Sequence, residues 1–227
     1  MNKAITKLKQ QGPRVANLVD FLVTKGVDFK LKEDIKWMSL VGKINPDFTS
    51  YVTTTLGNTI YLPKDLAYKE IDTVKMLAHE YVHVLDNRKH TFYKLSYSFP
   101  QILSIFGFLG ILGFWSPYYV LFSCFFGCLF RLPSPFRLHW ELRGYTMTMA
   151  VERWVMGKVQ EETKEDIIKA LYSKNYWLVV SKTTLARLIT AQLSKIEEGE
   201  LMSDPAFHQV QMFLVENRYA RHSLLDL

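Results

Sequence analysis

The chain has 227 residues, 48% of them hydrophobic and 22% charged, and carries a formal net charge of +6. That length supports one domain, or one with an elaboration, around a substantial core. No Lys/Arg-rich run with interleaved aromatics occurs, so no nucleic-acid surface is expected, and the two cysteines, Cys124 and Cys128, make no disulfide framework.

The first residues are basic but have no continuous apolar core behind them, so no secretory signal is read and the catalytic part is expected in the cytoplasm. Over residues 3–25, Leu8, Val15, Leu18, Val19, Phe21 and Leu22 recur at helical spacing, which predicts an amphipathic helix interrupted at Gly12-Pro13. The apolar run Ile35 to Val41 reads as a strand. Tyr51–Leu56 and Thr59–Leu62 are β-rich runs separated by Gly57-Asn58, a hairpin signal closed by Pro63. Thr59–Leu62 then has two readings. It is a free edge that pairs with an extended peptide, or it is an ordinary inner strand.

Next comes His79-Glu80-Tyr81-Val82-His83, which spells H-E-x-x-H. On a helix, positions i and i+4 share one face. Two imidazoles so placed can bind one zinc ion, and Glu80 can act as general base toward a water molecule there. The flanks predict that helix: Asp72-Thr73 as N-cap, an apolar face of Val74, Leu77, Ala78, Tyr81, Val82 and Leu85, and an end at Asn87-Arg88-Lys89.

From Leu95 to Phe130 no Asp, Glu, Lys or Arg occurs. The span divides at Gly113–Pro117 into Ile102–Leu112 and Tyr118–Phe130, each too short to cross a hydrocarbon core as a straight α-helix. One reading is a membrane hairpin that enters and leaves on the same side. Arg88, Lys89, Lys94, Arg131 and Arg137 would flank it, and Tyr93, Tyr97, Trp115, Tyr118 and Tyr119 would sit at the interface. The other is a buried helical pair, or a surface covered by a partner chain. The place of Cys124 and Cys128 inside this span points to packing or lipid contact rather than to a metal.

After Pro133-Ser134-Pro135, residues His139–Ala150 predict an inward-facing helix, and Lys164–Tyr172, Thr183–Ile196 and Asp204–Asn217 predict three more. A catalytic zinc site needs a third protein ligand and an open position. The metzincin pattern fails, because its Gly and His positions hold Asp86 and Lys89, with His90 one place out of register. Glu141, in a polar patch after the apolar span, is the favoured third ligand; His139 and Glu152 are the alternatives.

His79, Glu80 and His83, followed by an apolar span and then Glu141 within Glu-Leu-Arg-Gly-Tyr, resemble the gluzincins. The order is most similar to the small membrane-associated gluzincins (minigluzincins) of the HtpX heat-shock-protease type. The resemblance implies an α+β, zincin-like fold. A small antiparallel or mixed sheet would pack on the active-site helix, with a mostly helical C-terminal half and an apolar helical hairpin inserted. The implied organisation is 1–94 for the N-terminal helix, sheet and H-E-x-x-H helix, 95–132 for the hairpin, and 133–227 for the third-ligand and C-terminal helices. The chain departs from the family at Tyr145, where Asp is common, and at Gly144, where Ala is usual. The histidine acceptor would then be Tyr145 or Asp86.

The function so implied is that of a zinc-dependent endopeptidase acting on a peptide or protein substrate at a membrane reached through residues 95–130. His79, His83 and Glu141 would hold Zn2+. Glu80 would carry the proton, and Tyr145, Arg143 or His139 would supply a donor to the oxyanion. Two other classes compete. One is a non-enzymatic membrane-inserting or assembly component, such as a virion or secretion-apparatus subunit. The other is a zinc-dependent regulator that cleaves one partner or itself.

Overall fold

The computed structural model describes residues 2–50, 52–65, 69–130, 132–173 and 180–219. Tyr51, where one predicted strand begins, and Arg131, one of the flanking basic residues, lie outside the described residues. The architecture is helical with one small mixed sheet, an α+β arrangement. The chain forms two compact units, one of Met1–His90, Gly144–Val159 and Leu193–Leu227, the other of Thr91–Arg143 and Gln160–Gln192.

In the first unit, α1 (Lys3–Lys9) and α2 (Pro13–Thr24) are separated where Gly12-Pro13 interrupts the pattern. Pro13 opens α2, a position where its missing N–H has no partner to lose. β1 (Asp28–Leu31) follows, with Phe29 and Leu31 buried and Asp28 and Lys30 exposed. This period-two signal was not read from the sequence.

The run Ile35–Val41 is helical rather than extended: α3 spans Lys36–Ile44 and the short α4 spans Pro46–Ser50. Met38 is fully buried while Trp37, Leu40 and Val41 are exposed, so one side of a helix is anchored. A short apolar run does not distinguish the two periods, and here tertiary contact at Met38 decides.

β2 (Thr54–Leu56) and β3 (Thr59–Leu62) form the predicted hairpin, with Gly57 at φ 65°, a conformation glycine adopts without a Cβ penalty. β3 also pairs in parallel with β1, Phe29 opposite Ile60, giving the order β1-β3-β2. Thr59–Leu62 is therefore the inner strand, and the edge reading is corrected: β1 and β2 are the edges.

α5 runs from Glu70 to Lys89. It begins earlier than the predicted Asp72-Thr73 cap; Lys69 is the N-cap and provides no side-chain bond. Glu70 and Asp72 instead lie in the first turn, where acidic groups are favoured by the helix dipole. Every residue from Leu77 to Val84 is buried, a wider burial than the single apolar stripe expected. The Tyr81 hydroxyl donates to Gln209 Oε1 at 2.7 Å.

The second unit holds α6 (Tyr93–Ser98) and the apolar span. That span forms two 3₁₀ helices, Gln101–Phe114 and Pro117–Leu129. A 3₁₀ helix has three residues per turn, so residues three apart eclipse. Gly107, Gly110 and Gly113 therefore line one face, and Phe126, Ser123 and Val120 meet them in antiparallel order. A Cβ at Gly107 would lie 2.8 Å from the Phe126 ring, and one at Gly113 would lie 2.7 Å from Val120 Cγ2. Apart from Gly107 the two helices carry no buried residue. Among the described residues no helix is long and apolar enough to cross a membrane.

α7 is one continuous helix from Pro135 to Met156. Further along lie α8 (Glu161–Tyr172), α9 (Lys182–Glu197) and α10 (Pro205–Glu216), close to the predicted spans. Asp204 caps α10 by accepting from Ala206 N at 2.9 Å.

Candidate metal centre

Helix α5 carries His79 and His83 one turn apart, both buried. Their Nε2 atoms are 3.1 Å apart. Two imidazole nitrogens on one tetrahedral zinc stand about 3.3 Å apart, from bond lengths near 2.0–2.1 Å. The buried Glu141 joins them: one ligand atom from each of the three residues lies within 4.8 Å of the others. Two nitrogens and one carboxylate oxygen in a buried cluster suit a borderline divalent ion.

On α7, positions 141, 144, 145 and 148 fall on one face at spacings of three and four. Gly144 is packed so closely that a Cβ there would lie 2.7 Å from His79 Nε2 and Cε1. The Tyr145 ring meets the His79 ring edge-on, with centroids 4.7 Å apart and planes at 79°. The Thr148 hydroxyl lies 3.5 Å from His79 Nδ1. Thr148, which the sequence did not single out, thus stands at the second nitrogen of His79, and Asp86 is buried within α5.

Glu141 is itself held. The Tyr97 hydroxyl donates a short hydrogen bond to Glu141 Oε1. Burial, and then the neighbouring Glu141 carboxylate, push the Tyr97 phenol well above its ordinary range, so it remains a donor. Arg137 Nε donates to the Tyr97 carbonyl at 2.9 Å, and its guanidinium lies 5.3 Å from the centre of the Tyr97 ring. Tyr97, expected from the sequence as an interfacial aromatic, is bonded to Glu141. Nothing in its spacing distinguishes it from the other tyrosines of that region.

Glu80 is buried, and Thr55 Oγ1 of strand β2 donates to its Oε2 at 2.6 Å. Sequence reasoning missed Thr55, because its partner lies 25 residues away. The alternative third ligands do not join the group. His139 is exposed, with its ring against Trp140. Glu152 is buried three turns further along α7, about 16 Å by helix rise, and its carboxylate lies 3.9 Å from Lys75 Nζ. Arg143 is half-buried.

Comparison with known proteins returned no match, whether to family models, to curated proteins or to solved structures.

Proposed function

We propose that the chain is a zinc-dependent endopeptidase of the gluzincin kind, similar in element order to the HtpX type. The observation that carries this reading is the buried convergence of His79, His83 and Glu141 with Glu80 beside the first ligand. A purely structural metal site gains nothing from a carboxylate so placed.

When bound, zinc would polarise the scissile carbonyl and bring its coordinated water toward a neutral pKa. Glu80, held by Thr55, takes the proton from the attacking water and delivers it to the leaving nitrogen. Strand β2 supports an extended substrate: it is an edge of the sheet, and it carries the residue that binds Glu80. Tyr145, packed on His79, is the proposed donor to the oxyanion.

Association with a membrane is the second part of the reading. The uncharged 3₁₀ pair exposes Phe114, Trp115 and Tyr118 at its turn, at 95%, 83% and 78%, and contiguous apolar surface of this kind marks a lipid or partner contact. The same surface favours the competing reading, a membrane-inserting or assembly component without catalysis.

The deciding experiment measures zinc content and casein hydrolysis in the purified chain and in Glu80→Gln. Bound zinc in both, with hydrolysis in the parent alone, is the expected result. Absence of both metal and hydrolysis from the parent would sink the enzyme reading. Flotation with anionic and neutral vesicles tests the membrane part.

A further inference from the structure

Lys32, the residue after β1, is fully buried. An ammonium ion taken out of water requires hydrogen bonds and opposite charge to offset lost hydration. Its Nζ donates to the Phe48 carbonyl of α4 at 2.9 Å and to Thr54 Oγ1 of β2 at 2.7 Å. The same atom lies 3.7 Å from the centre of the Phe48 ring. Burial lowers its pKa to about 8, and the Glu80 carboxylate opposes that shift. The group is thus still mainly charged at neutral pH. Glu80 on α5 is the charged group acting on it; Glu33 and Asp34 beside it in the chain and Asp47 on α4 are exposed.

Thr54, which accepts from Lys32, is followed by Thr55, which holds Glu80. We propose that Lys32 is a positioning residue for Glu80: its buried ammonium ion ties α4 to strand β2, so that Thr55 is presented to the carboxylate, and its charge attracts that carboxylate. The inference rests on the reading of Glu80 as proton carrier. A lysine serving packing alone is replaceable by an apolar side chain of similar volume at little cost. A charge acting on Glu80 is not.

The test uses the full chain. NMR of the Lys32 Cε and Nζ nuclei across pH 6–10 is expected to show titration near pH 8. In Glu80→Gln the midpoint drops as the opposing charge is lost. An unmoved midpoint overturns the inference, whether or not the chain hydrolyses anything. With zinc-loaded protein and casein as probe, Lys32→Met is expected to lower kcat at pH 7 on the order of tenfold. KM and zinc stoichiometry should be retained. The parent kcat should fall on the alkaline side as Lys32 loses its charge, whereas the Lys32→Met profile should lack that step. Parent-like kcat in zinc-loaded Lys32→Met overturns the inference. A parent without zinc-dependent hydrolysis overturns the enzyme reading instead, and the NMR titration, which needs no activity and no Lys32 variant, still decides on Lys32.

Discussion

Gly144 leaves the space that the His79 ring occupies: a Cβ on that residue would lie 2.7 Å from two of the ring atoms. The clash is with a ring that must stay within reach of His83 and Glu141, so it cannot be relieved by moving a flexible chain end. Gly144→Ala is therefore expected to weaken zinc binding about tenfold or more, as displaced supports of a ligand do. It should also destabilise the fold by roughly 1–3 kcal/mol, the usual range for overpacking. Competition with a chelator, alongside denaturant unfolding, measures both. Unchanged metal affinity would mean that the ring relaxes freely.

Tyr97 bears on the same group through Glu141. Removing its hydroxyl in Tyr97→Phe leaves Glu141 Oε1 without the donor seen here. Zinc affinity is expected to fall about 10–100-fold, with the fold retained. A chelator titration that gives the parent value would show that the bond does not orient the ligand.

Thr55 addresses the proton step rather than the metal. Thr55→Val keeps the β-branched shape that a strand favours and deletes the 2.6 Å bond to Glu80. A hydrogen bond to a charged group contributes about 1.5–3 kcal/mol. The expected result is kcat lowered by one to two orders of magnitude at full zinc occupancy, since each 1.4 kcal/mol is about tenfold. A change confined to KM would place Thr55 in substrate binding instead.

Lys32 also makes a prediction about stability. Its folded pKa, about 8, lies below the ordinary lysine value of 10.5. Between those pH values the unfolded chain holds the proton that the folded chain has lost, so unfolding takes up a proton and stability rises with pH. Below pH 8 both states are protonated and the buried charge exerts its full penalty. The difference in unfolding free energy between parent and Lys32→Met should therefore move in favour of the parent from pH 8 upward. Denaturant midpoints at pH 7 and pH 9.5 supply the comparison; a difference independent of pH would contradict it.

The interlocked 3₁₀ helices allow a packing test. A side chain at Gly110 would overlap Ser123 Oγ. Gly110→Val should destabilise this pair by roughly 1–3 kcal/mol, and Ser123→Gly in the same chain should recover part of the loss, because the two positions are in contact. Additive losses measured by thermal unfolding in a double-mutant cycle would rule out the antiparallel register.

Much of the local structure could be read in advance because its causes are local. Gly12-Pro13 separates α1 from α2, Gly57-Asn58 turns the hairpin, and the i, i+4 spacing of His79 and His83 puts both imidazoles on one face wherever a helix forms. The glycine stripe at 107, 110 and 113 was equally visible, but its period of three was overlooked, and that period is the signature of the 3₁₀ form.

Other features depended on residues far apart in the chain. Ile35–Val41 became helical because Met38 found a core to enter. β3 became central because β1, a strand nearly thirty residues upstream, paired with it. By itself the sequence determined the helix that carries the two imidazoles and Glu80, since hydrophobic period and turn chemistry act over a few residues. Only the tertiary structure decided that Glu141 rather than Glu152 joins them, that Tyr97 and Thr55 hold the two carboxylates, and that Lys32 is buried near Glu80. Those contacts come from long-range packing, in which spacing along the chain carries no information about distance in space.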